Sequence, residues 1–214
     1  MNNDRGCVCT DICKIYASRT DEIPEECPGK LYLNVLEEVK KIYREEESDA
    51  KKIWNAFAKL LHTGGAKKSR LEHIVDFSHA MDIKIIGIAG CVRYIEECVY
   101  VNNIFKEQGL ESHIIMCKVG GFKTKDINID KVTDWTICNP LAQALILNKL
   151  NCEINVTLGL CMGQELIFNR YAKGFVTNLI VKEKISEERP RDTINRMIKG
   201  EYKLAFHKFR EEEK

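Results

Sequence analysis

The chain has no apolar run long enough to cross a bilayer. Its longest apolar runs, near Ile83 and Val176, fall far short of the ~20 residues that a membrane-spanning helix needs. The opening residues, MNNDRG, do not form the apolar core of a secretion signal. We therefore expect a cytoplasmic protein without a membrane partner.

An excess of charge of one sign is also missing. The 33 Lys and Arg residues nearly balance the 32 Asp and Glu residues, which leaves a formal net charge of +1. Proteins that bind nucleic acid usually present a broad positive field. The balance therefore argues against nucleic acid as a partner, and the remaining composition is that of an ordinary folded protein.

Cysteine, in contrast, is abundant, with ten residues in 214. A secreted chain with this many cysteines would suggest disulfides, but the cytosol keeps thiols reduced. Metal binding or thiol chemistry is therefore the better interpretation.

The hydrophobic pattern predicts three regions. Residues 1–30 read as a cysteine-rich metal-binding knuckle, and residues 31–82 as a helical segment packed on the main domain. Residues 83–214 alternate strands and helices, which predicts an α/β domain with a mostly parallel sheet of four to five strands and flanking helices. Ser69 to Glu72 forms a capping box that opens a helix, and Asn139-Pro140 opens another.

Four stretches with strand character end at or just before a cysteine. They are IKIIGIAG before Cys91, SHIIM before Cys117, DWTI before Cys138 and INVTLGL before Cys161. Because parallel strands share a carboxyl edge, where open α/β sheets bind ligands, these four thiols should meet in one crevice. The alternative is that each strand cysteine is a small hydrophobic core residue.

Glycines lie beside these cysteines. Gly120 and Gly121 follow Cys117, and Gly163 follows Cys161. Glycine lets backbone N–H groups approach a sulfur or an anion closely, so these three residues are candidates for cofactor binding. Cations just beyond the strand ends, at Arg93, Lys118 and Lys182, could offset the charge of clustered thiolates.

A second cysteine group lies in the first 27 residues. It consists of Cys7, Cys9, Cys13 and Cys27. Closely spaced thiolates suit Zn²⁺ or iron, although the spacing departs from the more specific paired C-x-x-C pattern. The alternative is four reduced cysteines without a metal.

Cys161 also lies at the centre of a G-x-C-x-G turn between a strand and a helix. Such a turn exposes its central residue, and the helix N-terminus favours a thiolate there. GLCMGQE resembles the nucleophile elbow of class I glutamine amidotransferases, which implies a catalytic Cys161. That family's downstream H-P-E pattern is absent, since the last histidine, His207, lies in the charged tail HKFREEEK.

Several longer motifs also resemble those of a known protein family. These are the N-terminal cluster ending in Cys27-Pro28, IGIAGCV, CKVGG, CNPLAQA, and GLCMG followed by VTNLIVK. In these motifs the chain resembles an uncharacterised family of small cysteine-rich proteins of anaerobic bacteria and archaea, the domain of unknown function 1847. The resemblance implies metal binding and supplies no reaction.

Three hypotheses follow. The first is a cytosolic metal-binding protein with cysteine-ligated zinc or iron-sulfur clusters, one in the knuckle and a second at the sheet edge. The alternative is a cysteine-dependent enzyme of acyl transfer or sulfur handling, in which Cys161 attacks a small-molecule substrate. Cys91, Cys117 or Cys138 would then resolve a persulfide or disulfide. In the third, the knuckle metal is structural and the sheet edge binds a small molecule or a protein without chemistry.

Overall fold

The computed structural model describes residues 23, 25, 27–62, 67–128 and 135–202. Its helices are α1 (Pro28–Leu31), α2 (Leu33–Arg44), α3 (Asp49–His62), α4 (Arg70–Ala80), α5 (Ile95–Glu107), α6 (Pro140–Lys149), α7 (Met162–Tyr171) and α8 (Pro190–Ile198). Its strands are β1 (Ile85–Gly90), β2 (Glu111–Met116), β3 (Ile154–Leu158) and β4 (Phe175–Ile180). In the described part of the chain, each helix lacks the length and apolar character needed to cross a bilayer.

The chain divides into two compact units, Met1–Gly64 and Gly65–Lys214. In the first unit, one serine joins two amphipathic helices. The Ser48 hydroxyl donates to the Ile42 carbonyl oxygen at 2.7 Å and accepts the Lys51 N–H at 3.2 Å, so it ends α2 and caps α3. The Trp54 ring then lies 6.3 Å from the Tyr43 ring, centroid to centroid, and links the two helices.

The second unit is built on a four-stranded parallel sheet with the order β2-β1-β3-β4. All five residues of β3 are buried, as are all but the first residue of β1. Strands of parallel sheets that are covered on both faces are buried in this way, because neither face meets water. The α/β fold with a parallel sheet and flanking helices is therefore confirmed.

Helices cover both faces of the sheet. On one face, Ile86 and Ile88 of β1 pack with Val75 of α4 and Phe105 of α5. On the other face, a cluster contains Ala89 of β1, Ala144 and Leu147 of α6, and Phe168 of α7. The second unit is thus a three-layer structure.

The helix starts agree with the sequence pattern. The Ser69 N–H donates to Glu72 Oε2 at 2.7 Å, and the Ala142 N–H donates to Asn139 Oδ1 at 3.0 Å. The capping box at α4 and the start of α6 after Asn139 are both confirmed.

One feature differs from the predictions. Residues 135–137, the described residues directly before Cys138, form no strand: Thr136 makes one isolated antiparallel bridge with Lys123. Of the helices within residues 31–82, α2 and α3 belong to the first unit and α4 to the second. The Arg70 guanidinium of α4 donates to Thr177 Oγ1 of β4 at 2.6 Å, a long-range contact without a local pattern.

The strand order fixes the position of the crevice. After β1 the chain moves to one side to form β2, and then crosses to the other side to form β3. In open α/β sheets, ligands bind at the carboxyl ends of the strands where the direction of winding changes. Here that point lies between the ends of β1 and β3.

We predict that Gly87→Ala destabilises the protein by about 1–3 kcal/mol, because the added methyl group overfills the core. A Cβ at this position would lie 2.3 Å from Asn155 Oδ1 and 2.9 Å from Leu147 Cδ1. Gly163→Ala is the matched control, since its Cβ would meet nothing within 4 Å. Urea denaturation measures both changes, and equal unfolding midpoints for the two variants would contradict the packing described here.

Candidate thiol site

Cys91 and Cys117 lie side by side where β1 and β2 end. The Cys117 N–H donates to the Gly90 carbonyl oxygen at 2.8 Å, and the Cys91 N–H donates to the Leu158 carbonyl oxygen at 3.0 Å. The hydrogen-bond ladder therefore continues one residue beyond the strands. The parallel register pairs Gly90 with Met116, and its continuation by one residue places Cys91 opposite Cys117.

A buried glutamine holds these two strand ends together. The Gln143 side chain of α6 donates through Nε2 to the Ile115 carbonyl oxygen at 2.7 Å and to the Gly90 carbonyl oxygen at 3.2 Å. Gln143 is fully buried. It fixes the strand ends directly before Cys91 and Cys117.

Lys182 joins Cys91 to Cys161. Its ammonium nitrogen lies 3.4 Å from the Cys91 sulfur and 3.5 Å from the Cys161 sulfur. The distance between the two sulfurs can therefore be no greater than the sum of these two distances. Cys91 is 5% exposed, whereas Cys161 is exposed in front of the first residue of α7.

The two sulfurs change the electrostatics of Lys182. Burial lowers the pKa of Lys182, but the neighbouring Cys91 and Cys161 sulfurs outweigh that effect and raise the pKa overall. Lys182 therefore stays protonated. Its ammonium group thus places one positive charge beside both sulfurs.

Cys117 and Cys138 form a second thiol pair. The Asn139 N–H donates to the Cys117 carbonyl oxygen at 2.6 Å, which places the Cys138 peptide beside Cys117. Burial raises the pKa of the Cys117 thiol to about 11, the Val92 backbone N–H opposes this shift, and a hydrogen bond with the Cys138 side chain adds to it. Cys117 is fully buried and Cys138 is half-buried.

The four predicted sheet-edge cysteines thus lie in two adjacent pairs. Cys161 and Cys91 share Lys182, and Cys117 and Cys138 share a hydrogen bond. Cys91, Cys117 and Cys138 belong to the same packed cluster. Of the three cations proposed from the sequence, Lys182 contacts the thiols, whereas the Lys118 ammonium donates to the Thr136 carbonyl oxygen and Arg93 is exposed.

A tyrosine covers the point between β1 and β3. The Tyr94 ring packs directly on Gly159, whose φ is +65°, and a Cβ there would lie 2.0 Å from the ring. The Tyr94 hydroxyl donates to the Glu188 carboxylate. Burial, with the Glu188 contact second, raises the pKa of Tyr94 to about 12, so the phenol stays neutral. Sequence patterns gave no signal for this contact, since its partners lie 94 positions apart.

The proposed cofactor-binding glycines occupy two different places. Gly120 and Gly121 form the exposed turn after Cys117, with φ values of +83° and +63°. Gly163 lies in the exposed first turn of α7. Each glycine is close in sequence to one of the two thiol pairs.

Of the remaining cysteines, Cys98 packs against the end of β1 in the core cluster on the other face, since a Cβ added at Gly90 would lie 2.4 Å from its sulfur. Burial raises the pKa of Cys98 in α5 to about 12 and that of Cys152 to about 11. Cys152 precedes β3, at the opposite edge of the sheet. Cys27 is half-buried at the start of α1, while Cys7, Cys9 and Cys13 lie outside the described residues.

The match with known proteins covers most of the chain. The model of a protein family of unknown function, DUF1847, matches residues 27–179. The chain belongs to the DUF1847 family. An uncharacterised protein of Methanocaldococcus jannaschii is 34% identical over 166 residues, which cover 75% of this chain and 81% of the relative. No solved structure matches the chain.

The DUF1847 match includes all four sheet-edge cysteines and ends before Lys182. It also excludes Cys7, Cys9 and Cys13. In this DUF1847 member, no three His, Cys, Asp or Glu side chains within the described ranges are arranged to hold one metal ion. As placed, the sheet-edge thiols do not fit a closed metal site, because an ammonium group lies between two of the sulfurs.

We predict that Lys182→Met slows alkylation of Cys161 at neutral pH by about tenfold, because the thiolate loses its neighbouring cation. Mass spectrometry of iodoacetamide-labelled peptides measures the rate for each cysteine. Lys118→Met is the matched control, since its ammonium group bonds to the Thr136 carbonyl oxygen. Equal rates in wild type and Lys182→Met, or equal slowing in both variants, would contradict the role of Lys182.

Proposed function

We propose that this protein is a thiol-dependent sulfur-handling enzyme, with Cys161 as the nucleophile and Cys91 as the resolving thiol. Its substrate class is a small-molecule disulfide or persulfide, and its compartment is the cytoplasm, where thiols are kept reduced. The observation that carries this proposal is the single ammonium group of Lys182 at 3.4 Å and 3.5 Å from the two sulfurs.

The surroundings of the two thiols assign their roles. Cys161 is exposed, and it precedes the N-terminus of α7, where the helix dipole favours negative charge. Cys91 is 5% exposed, so a thiolate there would lose most of its hydration. The charge is therefore better placed on Cys161, and a substrate reaches Cys161 first.

The chemical step is thiol–disulfide exchange. The Cys161 thiolate attacks one sulfur of the substrate disulfide, forms a mixed disulfide and releases one substrate thiolate. The Cys91 thiol then attacks the Cys161 sulfur and gives its proton to the second leaving thiolate. The substrate gains two electrons, and a Cys91–Cys161 disulfide remains until a thiol reductant restores both thiols.

Acyl transfer by Cys161 is less favoured by the geometry. The positive φ of the G-x-C-x-G region lies at Gly159, whereas Cys161 has an extended backbone with φ −69° and ψ 151°. A protonated Lys182 cannot accept the proton of a nucleophile. His113, a possible base, pairs with Glu111 inside β2 at 2.9 Å. The described contacts thus support thiol exchange better than acyl transfer.

We predict that Cys91→Ser accumulates a mixed disulfide at Cys161 when treated with oxidised glutathione, because no resolving thiol remains. Wild-type protein should instead form the Cys91–Cys161 disulfide and release both glutathione halves. Disulfide mapping by mass spectrometry distinguishes the two products. Cys152→Ser is the control and should behave as wild type, since Cys152 lies at the other edge of the sheet. Unresolved mixed disulfide in the wild type would refute the assignment of Cys91.

A second candidate function is metal binding by Cys7, Cys9, Cys13 and Cys27. Four thiolates in 27 residues, with Cys27 half-buried at the start of α1, support it. At the sheet edge, a zinc or iron-sulfur site would require Lys182 to leave the space between Cys91 and Cys161. We therefore propose that any resident metal binds at the N-terminal cysteines.

We expect anaerobically purified protein to contain zinc or iron, and the Cys13→Ser/Cys27→Ser variant to lose it. Elemental and sulfide analysis measures the content per chain. The Cys91→Ser/Cys161→Ser variant is the control and should keep the metal. The opposite pattern of loss would place the metal at the sheet edge and overturn this assignment.

A further inference from the structure

Cys117 and Cys138 have no part in the step proposed for Cys161 and Cys91. Three contacts nevertheless hold them beside Cys91. The Cys117 N–H donates to the Gly90 carbonyl oxygen at 2.8 Å, the Asn139 N–H donates to the Cys117 carbonyl oxygen at 2.6 Å, and the two thiols share a hydrogen bond. The second pair is thus attached to the residue before Cys91.

The spacing between Cys91 and Cys117 suits a covalent bond. They are the next pair in the parallel register after Gly90 and Met116, and neighbouring strands lie ~4.8 Å apart. This separation falls within the range of Cα distances found in disulfides. Both side chains belong to the cluster that also includes Cys138, so all three lie on the same face of the sheet.

We propose that Cys117 and Cys138 form a second redox-active pair that reduces the Cys91–Cys161 disulfide. The inference rests on the proposed function, because it needs that disulfide to form. The thiols then form one series along the carboxyl edge, in the order Cys161, Cys91, Cys117, Cys138. The exposed Cys161 meets the substrate, and the half-buried Cys138 meets the thiol reductant.

The exchange occurs in two balanced steps. Cys117 attacks the Cys91 sulfur, the Cys91–Cys161 bond breaks, and Cys161 leaves as a thiolate. Cys138 then attacks the Cys117 sulfur, and Cys91 leaves as a thiolate. The protons lost by Cys117 and Cys138 end on Cys161 and Cys91. The first pair gains two electrons, and the second pair is oxidised by two.

The hydrogen bond within the second pair holds the Cys117 and Cys138 sulfurs in contact. Burial raises the pKa of Cys117, so its thiol keeps its proton at neutral pH. Its side-chain hydrogen bond with Cys138 adds to that shift, as expected when the Cys117 S–H donates to the Cys138 sulfur. Cys117 therefore attacks as a thiol, and its proton is taken up by the departing Cys161 thiolate. A thiol reductant of the low-molecular-weight class returns the pair to its reduced state.

The geometry separates the two half-reactions. Cys138 lies near the exposed turn formed by Gly120 and Gly121. Cys161 lies directly before the first residue of α7. Substrate and reductant would thus use different ends of the thiol series. The Cys91–Cys161 disulfide would thus be reduced from the Cys117 side, without a reductant reaching Cys161.

A single-turnover experiment tests the relay. Reduced full-length protein receives one equivalent of oxidised glutathione, samples are quenched with acid, and disulfides are mapped by mass spectrometry over time. In wild type, the Cys91–Cys161 disulfide should form first and then decline as a Cys117–Cys138 disulfide appears. Cys138→Ser should slow that decline by at least about tenfold or trap a Cys91–Cys117 disulfide.

The controls separate this inference from the proposed function. Cys138→Ala repeats the test with a different side chain, and Cys152→Ser should match wild type. A Cys91–Cys161 disulfide that forms but never passes to Cys117–Cys138 would overturn the relay and leave the proposed function intact. A Cys117–Cys138 disulfide that forms equally fast in Cys161→Ser would also overturn the relay. Failure of Cys91 and Cys161 to oxidise would overturn the proposed function itself.

Discussion

The ammonium group of Lys182 is the contact on which the site depends. It lies between one buried sulfur and one exposed sulfur, so two thiols compete for one positive charge. In the proposed exchange, the exposed sulfur is the nucleophile and the buried sulfur is the resolving thiol. A metal bound by the same two sulfurs would require Lys182 to move away from them.

The sheet order brings the three groups together. Since β1 and β3 are neighbours, Cys91 at the end of one strand meets Cys161 just beyond the other. Because β4 is next to β3, Lys182, two residues after the end of β4, returns to the same edge. Tyr94 fills the space above Gly159, and its bond to Glu188 ties the segment after Lys182 to the start of α5. The contacts of the site are therefore contacts between strand ends that are distant in sequence.

Much of this arrangement could be predicted from the sequence. The apolar runs before Cys91 and Cys117, together with helix starts at Ser69 and Asn139, are local signals, and they indicated the strands, the helices and the carboxyl edge. The strand order could not be predicted, because the residues of an apolar strand do not specify which other strands will pair with it. For this reason the sequence could not show which cysteines pair, or that Lys182 rather than Lys118 joins them. The sequence predicts a strand before Cys138. In the structure, the Asn139 N–H donates to the Cys117 carbonyl oxygen, and one isolated bridge at Thr136 precedes Cys138.

The titration of Lys182 is the most direct test of this account. Nuclear magnetic resonance of protein labelled with ¹³C at lysine Cε can follow that one side chain through its pKa in wild type and in Cys91→Ser/Cys161→Ser. The account predicts a raised pKa in wild type and a fall below the ordinary value in the variant, where burial acts without the two sulfurs. An identical Lys182 titration in both proteins would contradict it.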